Sequence, residues 1–336
     1  MTELSKIPLP PGGKGKSLFE RAEDMFGLDA FAPPPVPGDV AEPAAKRPSR
    51  KGPSASEARQ FDEPPPRHEA PLPIVETPVA APEPEPDTIA FSGPHHAIDR
   101  AHLAEQGLLL PDGKVTALLE EFRIVKRQLL LSARAAARSG GGARAQRVLI
   151  CSPLPGEGQT FCATNLALAI AAEKDSEVLL VDADFAKPSI LSTLGLPGGR
   201  GLMDALADPT IRVEECVIAT DVPGLFVLPA GNASNSDSEF LSSDRTPEVL
   251  DRLTQGAPNR IVIFDSPPAL AASPAAELAK HVGQALVVVR ADITGQSSLE
   301  DALTLLSTCP DIKLLLNAAH FSPSGRRFGT YYGYGE

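Results

Sequence analysis

Three short runs in the chain combine residue type and spacing in ways that could do chemistry. The first is Ser152-Pro153-Leu154-Pro155-Gly156-Glu157-Gly158-Gln159-Thr160, set between the apolar run Val148–Cys151 and the apolar stretch Asn165-Leu166-Ala167-Leu168-Ala169. Read as strand, loop and helix, it places Gly156 and Gly158 where backbone N–H groups can turn inward around a phosphate. The helix N-terminus behind them adds partial positive charge. Thr160 is spaced to set a hydroxyl on Mg²⁺, whereas the position that usually carries the phosphate-binding Lys holds Gln159.

The second and third runs end in carboxylates. Val178-Leu179-Leu180-Val181-Asp182-Ala183-Asp184 and Ile261-Val262-Ile263-Phe264-Asp265-Ser266-Pro267-Pro268 each lead an apolar strand into acid. A single Asp after a strand commonly serves as a turn or cap residue. In a doubly wound sheet, however, strand C-termini converge on the ligand crevice. Asp182, Asp184 and Asp265 would then surround the phosphate and Mg²⁺ of the glycine loop.

The elements needed to bring these runs together are legible from Arg147 onward. Apolar strands are predicted at Val148–Cys151, Val178–Val181, Leu225–Leu228, Ile261–Phe264, Ala285–Val289 and Ile312–Leu316, mostly separated by amphipathic helical stretches. Continuous Val/Ile/Leu runs suit strands buried on both faces, so the expected fold is α/β: a doubly wound, mostly parallel sheet of the P-loop NTPase kind, spanning residues 146–322. Before it, Val115–Leu131 reads as a long amphipathic helix within a helical segment, residues 96–140. Residues about 30–95 hold 17 of the chain's 35 Pro and few large apolar side chains. They read as a disordered, extended linker. In residues 1–29, Ser17 and Glu20 form a capping box for a short amphipathic helix through Phe26.

Composition narrows the partners. A net charge of −12 argues against a nucleic-acid groove. Cys151, Cys162, Cys216 and Cys309 show no paired spacing, which fits a reducing cytoplasm. No apolar run approaches the roughly 20 residues of a membrane helix, so any membrane role is expected to come through a partner. All three Tyr of the chain, Tyr331, Tyr332 and Tyr334, lie in a Gly-interleaved tail, residues 323–336. A phenol with a pKa of about 10 is a poor nucleophile near neutrality and needs a carboxylate or a metal field to lose its proton. A flexible tail supplies reach.

Residues about 98–336 resemble bacterial tyrosine autokinases of exopolysaccharide loci, in particular the subgroup beside exosortase (PEP-CTERM) genes; these are deviant P-loop proteins related to MinD/ParA ATPases. PGEGQT resembles their Walker A loop, VLLVDADFAKP their Walker A-prime motif, and IVIFDSPP their Walker B. Leu314-Leu315-Leu316-Asn317 is similar to the late strand whose Asn reads adenine. Glu120, Arg123 and Lys126 fall on the family's E-x-x-R-x-x-R oligomerisation helix, with Lys126 replacing the second Arg. Tyr331, Tyr332 and Tyr334 match the tail that the family autophosphorylates. The resemblance implies ATP held by the amides of Gly156, Glu157, Gly158, Gln159 and Thr160, and Mg²⁺ held by Thr160, Asp265 and Asp182. Asp182 and Asp184 would help position the metal or accept the tyrosine proton. It also implies a homo-oligomeric ring, one subunit's tail entering its neighbour's site. A membrane-embedded chain-length determinant (polysaccharide co-polymerase) would act as activator, and a tyrosine phosphatase would reverse the reaction. The protein would be cytoplasmic, peripheral to the inner membrane through that partner.

Gln159 and Ala186, the latter where many relatives carry Arg, both remove positive charge from the phosphate side. Phosphoryl transfer depends mainly on positioning and charge stabilisation. Lys187 is an adjacent candidate replacement. Two other readings therefore stand beside the kinase: a catalytically impaired nucleotide-binding scaffold, and a MinD/ParA-like ATPase.

Overall fold

A computed structural model describes residues 88–91, 95–232 and 236–319. The expected N-terminal helix from Ser17, most of the 30–95 segment and the tyrosine tail lie outside these residues. Strands β1 (His95–His96), β2 (Arg147–Cys151), β3 (Glu177–Asp182), β4 (Ile218–Thr220), β5 (Leu225–Leu228), β6 (Arg260–Asp265), β7 (Gln284–Arg290) and β8 (Ile312–Asn317) form one sheet. Its order is β1-β4-β5-β3-β6-β2-β7-β8. Every pairing is parallel except β4 with β5.

Helices cover both faces. On one side lie α1 (Arg100–Glu105), α2 (Ala117–Arg138), α3 (Gln159–Ala171) and α4 (Ile190–Leu194). On the other lie α5 (Leu202–Ala207), α6 (Asp237–Leu241), α7 (Arg245–Arg252), α8 (Pro274–Ala279) and α9 (Gln296–Leu305). Central strands feed both cores by alternation: Val148 and Ile150 of β2 face α2 and α3, while Leu149 and Cys151 face the opposite layer. That is why their sequences are apolar at every position.

The six apolar runs each form a strand, so the doubly wound reading holds. The short β1 and β4 carry no such run and were not anticipated; they pair at the sheet's edge, where two or three residues suffice. The long helix begins at Ala117, capped by the Thr116 hydroxyl accepting from Leu119 N at 3.2 Å. It continues to Arg138, beyond the expected Leu131. The Ala- and Arg-rich sequence favours helix, and the break comes only at Gly140 and Gly142, both with positive φ. Helix α2 shares its core with α3, so the helical segment and the P-loop sheet form one fold.

The end of the Pro-rich segment is also ordered. Ile89 N donates to Gln255 O at 3.2 Å, and Phe91 packs edge-on to Phe226 at 5.1 Å. The buried Arg260 guanidinium lies 3.9 Å over the Phe91 ring. Aromatic and cationic contacts overcome the low apolar content that argued for disorder here. All four cysteines are free and buried.

Candidate nucleotide site

Parallel strands place β2, β3 and β6 side by side with their C-terminal ends together. The register sets Ile150 opposite Asp265 and Asp182 opposite Asp265, so the glycine loop after β2 and both acidic strand ends meet. The Ser266–Pro268 turn is strapped beneath the loop: Ser266 N donates to Ile150 O at 3.0 Å and Ala269 N to Ser152 O at 2.8 Å.

The loop is shaped by its glycines. Gly156 and Gly158 have φ of 81° and 96°, a left-handed backbone that L side chains rarely adopt. A Cβ at Gly158 would sit 2.3 Å from Asn317 Nδ2. Gly158 is the N-cap of α3, no side chain caps the first turn, and no acidic residue stands in it. The first-turn amides of a helix lack intrahelical partners. Here they are left for an anion.

Asp265 is 0% exposed and neither carboxylate oxygen has a hydrogen-bond partner. Burial pushes its pKa well above the usual carboxylate range; the nearby Thr160 hydroxyl pulls the other way, and Asp182 and Asp184 push further up. Asp182 is also buried, which raises it to about 6. Its oxygens are engaged: Oδ2 accepts from Ser189 N at 2.8 Å and Ile190 N at 2.9 Å, and Oδ1 accepts from Asp184 N at 3.3 Å. Asp182 therefore holds the start of α4 as well as facing Asp265. Asp184 is half-buried and accepts Lys187 N at 3.0 Å. Uncompensated carboxylates at adjacent strand ends are costly. A divalent cation beside Thr160 and Asp265 would relieve that cost. Among the described residues no group of three His, Cys, Asp or Glu forms a metal cage. A Mg²⁺ that keeps waters and substrate phosphates does not require one. The donor set thus fits Mg²⁺–nucleotide.

Gln159 opens α3, and its Oε1 accepts from the Ser152 hydroxyl at 3.2 Å. Asn317 ends β8, where its Nδ2 donates to Glu157 O at 2.8 Å. Beside it a cavity of about 220 Å³ is lined by Phe161, Cys162 and Asn317 together with Phe122 of α2. A larger cavity, about 680 Å³, lies at the opposite strand ends near Glu177 and Arg260, away from the loop. On α2, Arg123 pairs with Glu120. Lys126 turns inward, meeting Glu173 Oε1 and Ala169 O at 3.0 Å each. The three oligomerisation candidates thus share a helix but not a role in the fold.

Sequence reasoning missed the structural role of the Glu157 side chain. It is buried, its Oε2 accepts from Leu154 N at 2.8 Å, and its Oε1 accepts from Thr294. It also missed Arg290, whose Nη1 donates to Gly156 O at 3.2 Å. Both loop contacts come from the β7–α9 turn, more than 130 residues away in sequence, and no local pattern announces them.

No model of a known protein family matches the chain. Over 162 residues it is 33% identical to the tyrosine-protein kinase YwqD of Bacillus subtilis, covering 48% of this chain and 67% of that one. Over 158 residues it is 32% identical to the tyrosine-protein kinase ptk of Acinetobacter johnsonii, covering 47% of this chain and 21% of the relative. It thus spans only about a fifth of that longer protein. Among solved structures, the kinase domain of the Escherichia coli tyrosine kinase ETK superposes with a TM-score of 0.51 at 21% identity, covering 67% of this chain and 91% of that one. The chimerical protein CapA2B2 gives a TM-score of 0.50 at 23% identity, covering 65% and 98%. These two likenesses bear on the fold.

Proposed function

The chain belongs to the bacterial tyrosine-protein kinase family, and we propose that it is an ATP-dependent autokinase acting on its own C-terminal tyrosines. The observation that carries this reading is Asp265, fully buried with both oxygens unpaired, beside Thr160 and an uncapped helix start. The amides of residues 156–160 would hold the phosphates, and the cleft beside Asn317 would take the base. Thr160 and Asp265 would hold Mg²⁺, with Asp182 behind them. Mg²⁺, when bound, would neutralise charge across the β- and γ-phosphate oxygens.

Asp184, half-buried at the rim, is the better placed of the remaining carboxylates to receive a proton. The phenol oxygen of Tyr331, Tyr332 or Tyr334 forms the new bond to the γ-phosphorus as the bond to the β–γ bridging oxygen breaks. The phenolic proton passes to Asp184, and ADP leaves. Transfer would occur in trans within a homo-oligomer built through α2, with Glu120 and Arg123 on its outer face. A membrane-embedded polysaccharide co-polymerase would activate the kinase on the cytoplasmic side of the inner membrane. A phosphatase would reset it, and exopolysaccharide polymerisation or export would be the process regulated. Among the described residues no helix is long and apolar enough to cross a membrane.

A second reading has its own observation. Gln159 bonds with Ser152 and brings no charge to the phosphate side. A nucleotide-bound scaffold without phosphotransfer would look the same at that position. Mixing two chains separates the readings. One carries Asp265→Asn with its tail intact; the other is otherwise unaltered but lacks residues 323–336. With Mg-ATP, phosphate on the tail of the Asp265→Asn chain is the expected result. Absence of phosphate there, while the tail-less chain binds Mg-ATP and the two chains assemble together, would favour the scaffold.

A further inference from the structure

The glycine loop carries a buried carboxyl group, that of Glu157, and lacks the lysine that normally offsets phosphate charge. Among the described residues, Arg290 is the one cationic side chain bonded to it, through Gly156 O. No carboxylate pairs with Arg290 among those residues, and its side chain is exposed at the loop's rim. Asn317 Nδ2 donates to the next carbonyl, Glu157 O, at 2.8 Å. Two successive peptides of the loop therefore have their carbonyls held by donors from the ends of β7 and β8. In a peptide, a donor on the carbonyl side polarises the N–H on the other side. In a loop of this kind, those N–H groups face the anion.

The two turns that deliver these donors are themselves constrained. Asp292 (φ 61°) and Ala318 (φ 53°) are the only non-glycine residues with left-handed backbone among the described residues. Each lies within two positions of Arg290 or Asn317. Such conformations persist only where surrounding structure enforces them. Here Thr294 does so in part, accepting from Arg290 N at 2.8 Å while donating to Glu157.

We infer that Arg290 is a positioning residue for the phosphates: from behind the loop it supplies the positive charge that Gln159 does not supply in front. This rests on the nucleotide reading proposed above. Its role is electrostatic, so a neutral side chain that still donates to Gly156 O cannot replace it, and Lys can.

The test is Mg-ATP affinity by calorimetry for the full chain and for Arg290→Gln, Arg290→Lys and Arg290→Gln with Gln159→Lys, with melting temperatures to confirm folding. Arg290→Gln is expected to weaken binding roughly tenfold to a hundredfold, the range for one charge-assisted hydrogen bond. Arg290→Lys should stay within about threefold of the parent, and Gln159→Lys should restore most of what Arg290→Gln loses. Folded Arg290→Gln binding as tightly as the parent, or Arg290→Lys falling equally far, would overturn the inference alone. A parent chain that does not bind Mg-ATP would overturn the nucleotide reading and this inference with it.

Discussion

At the scale of single residues, the account turns on carboxylates held where they are unstable alone. Asp265 is buried without a partner. Asp265→Asn keeps the shape and removes the charge, so the metal-free protein at alkaline pH should melt higher. Removing an unsatisfied buried charge is worth about 1–3 kcal/mol, or several degrees for a domain of this size. The same variant should lose Mg²⁺-dependent nucleotide binding, so calorimetry and a melting curve should move in opposite directions. A fall in both would point to a structural role. A second expectation concerns pH. Burial raises Asp182 to about 6 and Asp265 well above its usual range, so both are partly protonated in the metal-free site at mildly acid pH. A metal favours the ionised form, so binding must release protons. Mg-ATP affinity should therefore fall as pH drops through about 6. Calorimetry in buffers of differing ionisation enthalpy reads the protons directly; affinity that stays flat through this window would remove these carboxylates from the metal site. The positions of Asp182 and Asp265 were legible in the sequence because each ends an apolar strand. The division between them was not. Asp182 is tied up by amides of α4, which the sequence alone does not bring to it.

At the scale of elements, α2 carries both fold and proposed assembly. Its inner face, with Phe122, Leu129 and Leu130, closes the core over α3. Lys126 caps the end of α3 through Ala169 O and pairs with Glu173. Cations at helix C-termini contribute roughly 0.3–1 kcal/mol, up to about 2 when partly buried. Lys126→Ala should therefore lower stability by about 1 kcal/mol, measured by urea unfolding. Arg123→Ala removes a pair on the outer face and should leave stability within about 0.5 kcal/mol. If α2 builds the oligomer, Arg123→Ala should instead reduce the assembled mass in light scattering. An unchanged mass would take Arg123 out of the interface. The spacing of Glu120, Arg123 and Lys126 was visible in sequence. That Lys126 turns inward depends on the packing of α2 against the last turn of α3, a long-range fact that helical periodicity does not contain.

At the scale of the whole molecule, the sheet assembles a site from segments far apart in the chain. Five of the six apolar runs made the strands from β5 to β7 legible, because strands buried on both faces are largely apolar; the sixth forms β8, an edge strand whose Leu314 and Leu316 are exposed. The short strands β1 and β4 left no such trace, and neither did the strap formed by Thr88 to Phe91. That strap predicts a truncation effect: removing residues 1–91 should cost about 2–3 kcal/mol more than removing residues 1–87, through loss of the Phe91 contacts with Phe226 and Arg260. The central claim, that this site transfers phosphate from ATP to the tyrosine tail, is tested most directly by mass-spectrometric mapping of phosphorylation. The purified chain would be incubated with Mg-ATP and the cytoplasmic segment of the proposed polysaccharide co-polymerase, beside Asp265→Ala and Gln159→Lys. The account predicts phosphate on Tyr331, Tyr332 or Tyr334 of the parent chain and none in Asp265→Ala. No phosphate in the parent, with phosphate appearing in Gln159→Lys, would contradict it and leave a nucleotide-bound scaffold in place of a kinase.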